Sequence, residues 1–204
     1  MNTTYTLRFI HVDDAEAALA VYAQYVLNTA ITFEYEVPTI EEFSSRITSY
    51  TAEFPWLVCL EGDTVVGYAY AGKHRARSAY QWSPESTIYL SEHVHGKGIA
   101  RILYEALFAI LRLQGYYNVY AGVLVPNEKS EKMHLALGFE EIGIFKKVGY
   151  KHGAWHDVKW LQLHVAEHII NPPPPKPIHE VINSEEVALI LQAANSKLAV
   201  RIPQ

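Results

Sequence analysis

The stretch from Glu85 to Gln114, ESTIYLSEHVHGKGIARILYEALFAILRLQ, restricts the fold more than any other part of the chain. Ser86–Leu90 is short and rich in β-branched and aromatic residues, which predicts a strand. His95-Gly96-Lys97-Gly98 predicts a turn. From Ile99 the apolar residues Ile102, Leu103, Ala106, Leu107, Ile110 and Leu111 recur at helical spacing, and Gly115 marks the stop. Glycines ahead of a helix leave its first backbone N–H groups uncovered, and those donors favour an anion. Lys97 adds positive charge. Two readings stand on these residues alone: a pyrophosphate cradle, and a plain strand-to-helix turn.

The rest of the chain supplies the frame. Tyr5–Ile10 alternates like a strand, and Asp13 is expected to cap a helix running to about Asn28. Residues 28–37 are irregular and aromatic. Thr39-Ile40-Glu41-Glu42 has capping-box spacing and opens a second helix towards Ala52. Trp56–Glu61 and Thr64–Lys73 flank Gly62-Asp63, a hairpin signal. Lys73–Pro84 reads as a basic, aromatic loop. Beyond the central helix come a strand over Tyr117–Val125, a short helix from about Glu128 to Leu137, and strands over Phe139–Lys147 and Asp157–Val165. The order β-α-α-β-β-β-α-β-α-β-β predicts an α/β domain with a mixed sheet: hairpins require antiparallel pairs, and the strand-helix-strand unit around Gly98 a parallel one.

Asn171–Pro177, NPPPPKP, predicts an extended polyproline spacer. Ser184 then caps a helix whose apolar face is Val187, Ile190, Leu191, Ala194 and Leu198. Three destinations are open to that face: its own domain, a second copy, or a partner.

Composition narrows the function classes. A net charge of -5 without a long basic run excludes a nucleic-acid platform. The one cysteine, Cys59, excludes an intrachain disulfide framework and suits a reducing compartment. No apolar run reaches membrane-span length and no signal peptide is visible, so the expected setting is cytoplasmic. The histidine pairs His93/His95, His152/His156 and His164/His168 lack a third ligand, so no metal is expected.

The strand, H-G-K-G-I-A turn and long helix resemble motif A of the GNAT N-acetyltransferase superfamily, with Gly98 and Ala100 in place and His95 where Gln or Arg is usual. TAITFE (29–34), PWLV (55–58), GYAYAG (67–72), RARSAY (75–80), ESTIYL (85–90), N-x-x-S with M-H-x-A-L-G-F (127–139) and K-H-G-x-W-H-D (151–157) occur in register. Together they resemble the phosphinothricin and methionine sulfoximine/sulfone N-acetyltransferase subfamily over residues 5–165. The resemblance implies a GNAT fold with six to seven strands and about four helices over 1–168, followed by a spacer over 169–183 and a helical extension over 184–204. It implies an acetyl-CoA-dependent enzyme acetylating a small amino-acid-like substrate, and a homodimer.

Residue by residue, the resemblance implies Glu85 as general base and His134 as the acid that protonates the leaving thiolate. Acetyl-CoA is expected on Ile88, Tyr89, Leu90, His95, Gly96, Lys97, Gly98, Ile99, Ala100, Arg101 and Asn127, with backbone N–H groups near Tyr89 and Leu90 polarising the thioester. The acceptor is expected on Phe33, Glu34, Arg75, Arg77, Tyr80, Ser86 and Thr87, an Arg pair suiting a carboxylate. Trp82, Tyr150 and Trp155 are candidate walls. Each has a plainer reading: Glu85 paired with Arg75 or Arg77, His134 as packing, Asn127 as a helix cap, the Arg loop as solvated surface. Two other functions stay open: acetylation of a polyamine or protein N-terminus, and a non-catalytic acyl-CoA-binding or interaction module.

Overall fold

The computed structural model describes residues 4–201, without the side chain of Arg201. Seven strands form one sheet: β1 (Tyr5–Phe9), β2 (Trp56–Glu61), β3 (Thr64–Lys73), β4 (Pro84–Leu90), β5 (Asn118–Val125), β6 (Glu140–Lys151) and β7 (Ala154–His164), in the order β1-β2-β3-β4-β5-β7-β6. The helices are α1 (Ala15–Asn28), α2 (Ile40–Thr51), α3 (Ile99–Gln114), α4 (Glu128–Ala136), α5 (Ile178–Val181) and α6 (Glu185–Arg201). The expected mixed sheet is present. Every strand pair is antiparallel except β4–β5, the pair joined through α3.

Two apolar layers cover the sheet. Leu57, Cys59, Val66, Ala69 and Ala71 face α3, whose buried Ile102, Leu103, Leu107, Ile110 and Leu111 fill that side. Burial pushes the Cys59 thiol up to about 12, so it stays a neutral core residue. On the other face, Trp56, Val58 and Tyr68 meet Ala18, Tyr22 and Val26 of α1 and Phe43 and Ile47 of α2.

Sequence and structure differ at three places. Asp14, rather than Asp13, organises the entry to α1. Its carboxylate accepts from His11 N at 2.8 Å and pairs with Arg8 at 2.7 Å, and Val12–Asp14 forms a 3-10 turn first. The last two strands run on to meet in a tight turn, because His152 and Gly153 both adopt positive φ, 49° and 77°, as a two-residue hairpin turn requires. Within the expected spacer, residues 172–177 have no regular secondary structure, but Ile178–Val181 forms α5.

The face of α6 is buried in the domain's own core: Val187, Ala194 and Leu198 join the α3 cluster with Ile178 and Val181. Its Asn195 accepts from Leu7 N at 2.6 Å and donates to Leu7 O at 3.1 Å, satisfying the edge of β1. Residues 202–204, expected in the same helix, lie outside the described residues. Leu198 is 1% exposed, so Leu198→Ala should cost about 2–5 kcal/mol of stability by urea denaturation. A loss near zero would mean that α6 does not dock as described.

Candidate active site

The site begins where β4 and β5 part. β4 pairs with β3 along its whole length, from Pro84 to Leu90, and β5 pairs with β7 from Asn118 to Val125. Between β4 and β5 the register holds one pair, Glu85 opposite Tyr120. Beyond it the two strands have no ladder between them. This leaves a cleft edged by backbone groups, which need partners of their own.

Glu85 stands at that fork. The pairing suggested by sequence, to Arg75 or Arg77, is not the one formed: Oε2 of Glu85 lies 3.3 Å from Nδ1 of His74. The His74 ring is held flat against Tyr120 at 4.7 Å and edge-on to Trp160 at 5.1 Å. His74 thus fixes the carboxylate at the mouth of the cleft. Sequence reasoning passed over it because it sits next to the more conspicuous arginines.

At the far end of the cleft is the glycine turn. Gly98 is the N-cap of α3 with φ 81°, and no side chain caps the helix. The first helical N–H groups therefore lack a protein partner. Gly96 has φ 78° and open space where a Cβ would stand. The turn thus carries uncovered donors and room around them, which fits a phosphate group of acetyl-CoA. Lys97 Nζ donates to Tyr5 Oη at 2.8 Å, and Arg101 pairs with Glu105 at 2.7 Å. Ile99 is buried, while Ala100 packs at the edge of the core.

Tyr25, on α1, ties the end of β4 to the glycine turn. Its hydroxyl donates to Leu90 O at 2.6 Å and lies 3.4 Å from Leu90 N, and His95 Nε2 is 3.2 Å from both that hydroxyl and Leu90 O. His95 is therefore tied to the end of β4. Tyr89 packs edge-on to Tyr22 and tilted against Tyr25, each at 4.9 Å, while Ile88 packs on the α3 side. Tyr25 carried no sequence signal beyond its place on an apolar helix face.

His134 and Asn127 flank the α3 side. Asn127 caps α4, its side-chain oxygen accepting from Ser130 N at 3.2 Å. His134 is 2% exposed, between the rings of Tyr104 and Phe139. Its Nδ1 lies 2.8 Å from Ser130 O. A carbonyl only accepts, so Nδ1 carries the proton. Nε2, buried without a partner, is then the bare nitrogen. Burial also lowers its pKa. This geometry provides an acceptor where the resemblance implies an acid.

The expected acceptor residues fall into two groups. Ser86 is buried with Oγ 3.4 Å from Tyr120 O, and Thr87 follows Glu85 on the opposite face of β4 from Ser86. Arg75, Arg77 and Tyr80 are exposed on the β3–β4 loop. Glu34 is gripped in a fork by Arg46, at 2.6 and 3.3 Å. Phe33 lies against Gly149, where a Cβ would come within 2.2 Å of its ring. That contact joins the α1–α2 loop to the β6–β7 hairpin. Buried Lys151 locks the same junction by donating to Val26 O at 2.7 Å and Thr32 O at 2.8 Å. Of the candidate walls, Trp82 is spent on Pro173 O at 2.7 Å, while Tyr150 and Trp155 lie tilted against each other at 5.3 Å, exposed, on the hairpin. Among the described residues no group of three or more His, Cys, Asp or Glu is placed to hold a metal, and no helix is long and apolar enough to cross a membrane.

The acetyltransferase (GNAT) domain model matches residues 7–160. The chain belongs to the GNAT acetyltransferase family. It is 34% identical over 168 residues to a phosphinothricin N-acetyltransferase of Streptomyces viridochromogenes, covering 82% of this chain and 90% of that protein. It is 30% identical over 167 residues to the L-methionine sulfoximine/L-methionine sulfone acetyltransferase of Salmonella typhimurium, covering 80% and 96%. Among solved structures, a GNAT superfamily phosphinothricin acetyltransferase from Sinorhizobium meliloti in complex with acetyl-CoA superposes with TM-score 0.78 at 32% identity, covering 86% of this chain and 98% of that one. This protein is thus an N-acetyltransferase that uses acetyl-CoA as cosubstrate.

The His134 geometry has a pH consequence. Its folded pKa lies below the ordinary histidine value, so the unfolded chain binds the extra proton more readily. The contribution is therefore favourable above about pH 6.5 and is lost as pH falls towards the depressed folded value. Urea midpoints measured from pH 7.5 down to 5 should fall less steeply in His134→Gln than in the parent. Identical slopes would mean that His134 is not the buried neutral group described.

Proposed function

We propose that the chain acetylates the α-amino group of a small amino acid or analogue of the phosphinothricin, methionine sulfoximine or methionine sulfone type, with Glu85 as general base. The observation that carries this is the position of the Glu85 carboxylate at the fork between β4 and β5, half-exposed and held by His74. The names of the relatives support the substrate class.

The chemistry follows from the residues. The glycine turn and the N-terminus of α3 hold the pyrophosphate, with Lys97 and Arg101 as nearby cations. The edge of β4 at Ile88–Leu90 pairs with the pantetheine arm, and a backbone N–H there donates to the thioester oxygen. Glu85 takes a proton from the acceptor ammonium, directly or through one water. The freed nitrogen pair attacks the thioester carbon, the C–S bond breaks, the thiolate leaves with the electron pair, and the second proton that the nitrogen sheds as the amide forms ends on that sulfur. With Nδ1 of His134 engaged by Ser130 O, His134 serves as an acid only after taking a second proton, which its burial opposes. Arg75 and Arg77, exposed on the β3–β4 loop after His74, bind the acceptor carboxylate, and Phe33 and Tyr80 border it. The same reading makes the protein a cytoplasmic homodimer, for which the exposed apolar Ile142, Phe145, Val148 and Trp155 of the last hairpin are the natural contact.

A thiol-release assay with acetyl-CoA should show saturable turnover on methionine sulfone, methionine sulfoximine or phosphinothricin. Turnover only on spermidine or a peptide amine would move the acceptor class. Glu85→Gln should lower kcat by about 10²–10⁴-fold while leaving acetyl-CoA affinity nearly unchanged. An unchanged kcat across pH would remove Glu85 from the role of base.

A further inference from the structure

Beside the fork lies a cavity of about 230 Å³ that the reaction as described does not use. It sits between the sheet and α1–α2. Trp56, Tyr68, Tyr70 and Tyr89 line it, with Glu34 and Arg46 among the bordering side chains. Its volume is that of about eight waters, below the ~300 Å³ at which pockets begin to take drug-sized ligands. Something the size of one amino-acid side chain fits it.

The register connects this cavity to the reacting end. Glu85, Thr87 and Tyr89 share one face of β4, and the opposing residues on β3 are Gly72, Tyr70 and Tyr68. The wall of the cavity, at Tyr70, thus starts one residue pair along the strand from the Glu85–Gly72 pair, a backbone step of about 7 Å. That distance is spanned by roughly five or six covalent bonds. It is the path from an α-nitrogen to an atom at the end of a methionine-length side chain.

Two features specify what lies at that end. The first is Trp56, which is 2% exposed and whose Nε1–H is buried with no partner. The indole is a donor only, and leaving it unpaired costs free energy, so an occupant is favoured that brings an acceptor oxygen. Stacking on Tyr70 at 4.2 Å and 18° fixes the ring in place. The second is charge. The one cation lining the cavity, Arg46, is already matched by both oxygens of Glu34. An anionic group buried here would lack a counter-charge, whereas a neutral dipolar group would not.

We propose that this cavity binds the side chain of the acceptor amino acid, that Trp56 donates to an oxygen at its end, and that the site prefers a neutral sulfone or sulfoximine to an anionic phosphinate. This rests on the functional reading above and adds to it the specificity-determining residues. Trp56 fixes the oxygen, and the Glu34–Arg46 pair sets the charge that the cavity accepts. Burial raises the pKa of Tyr68, Tyr70 and Tyr89, so their phenols remain protonated at neutral pH.

The test is steady-state acetylation of methionine sulfone, methionine and phosphinothricin by the full chain and two variants. The parent should give its highest kcat/KM on methionine sulfone. Trp56→Phe, which keeps an aromatic ring and removes the donor, should lose about tenfold more on the sulfone than on methionine, the equivalent of about 1.4 kcal/mol. Glu34→Gln, which leaves Arg46 unmatched, should raise phosphinothricin relative to the sulfone. Equal losses on sulfone and methionine, or none, would overturn the Trp56 contact. If Trp56→Phe does not fold, the Glu34→Gln ratio decides, and an unchanged ratio overturns the proposal. If the parent acetylates none of the three, the functional reading falls. Calorimetric binding of the sulfone that weakens selectively in Trp56→Phe would then still support the cavity assignment, and absence of binding would overturn it too.

Discussion

Two parallel strands that meet at one register point organise this molecule. Glu85 and Tyr120 face each other across β4 and β5, and each strand then follows its other neighbour, β4 with β3 and β5 with β7. Backbone groups inside a protein are seldom left unpaired. A parting of this kind therefore makes a binding edge for an extended ligand without dedicated side chains. The helix that joins the two strands starts from Gly98 with its first N–H groups uncapped. One connection thus leaves both a free strand edge and an uncapped helix terminus.

Packing holds that geometry in place from both sides. On one face, α3 is buried against the sheet along most of its length, and the C-terminal helix closes over α3 and β1. On the other, α1 sends Tyr25 to the end of β4, and Lys151 binds the carbonyls of Val26 and Thr32. A buried ammonium held only by carbonyls is costly in the absence of those bonds, and its pKa is lowered by desolvation. Its position joins the last hairpin to the loop that carries Phe33 and Glu34, alongside the contact of Phe33 with Gly149, so these two distant segments are held together at more than one point.

The parts of this design written in local sequence were legible. Hydrophobic period placed the main strands and helices, the capping box at Thr39 placed α2, and the glycines at 96 and 98 marked the turn. What was not legible depends on residues brought together from far apart. His74 approaches Glu85 only when β3 and β4 pair. Tyr25 reaches Leu90 across 65 positions, and Lys151 reaches Val26 across 125. The role of His134 turned on which ring nitrogen faces Ser130 O. The Trp56 indole reads as core in sequence, and only the absence of a partner for its N–H separates it from ordinary packing. The extent of the last hairpin was missed because a Lys-His-Gly-Ala turn lacks the usual Asn-Gly or Asp-Gly signature.

The central claim is that the fork between β4 and β5, together with the turn before α3, holds acetyl-CoA. Hydrogen–deuterium exchange of the full chain with and without saturating acetyl-CoA tests it most directly. The account predicts slowed exchange in peptides covering residues 87–90 and 96–101, with little change in α2 or α6. Saturable binding that leaves both segments unprotected would contradict it.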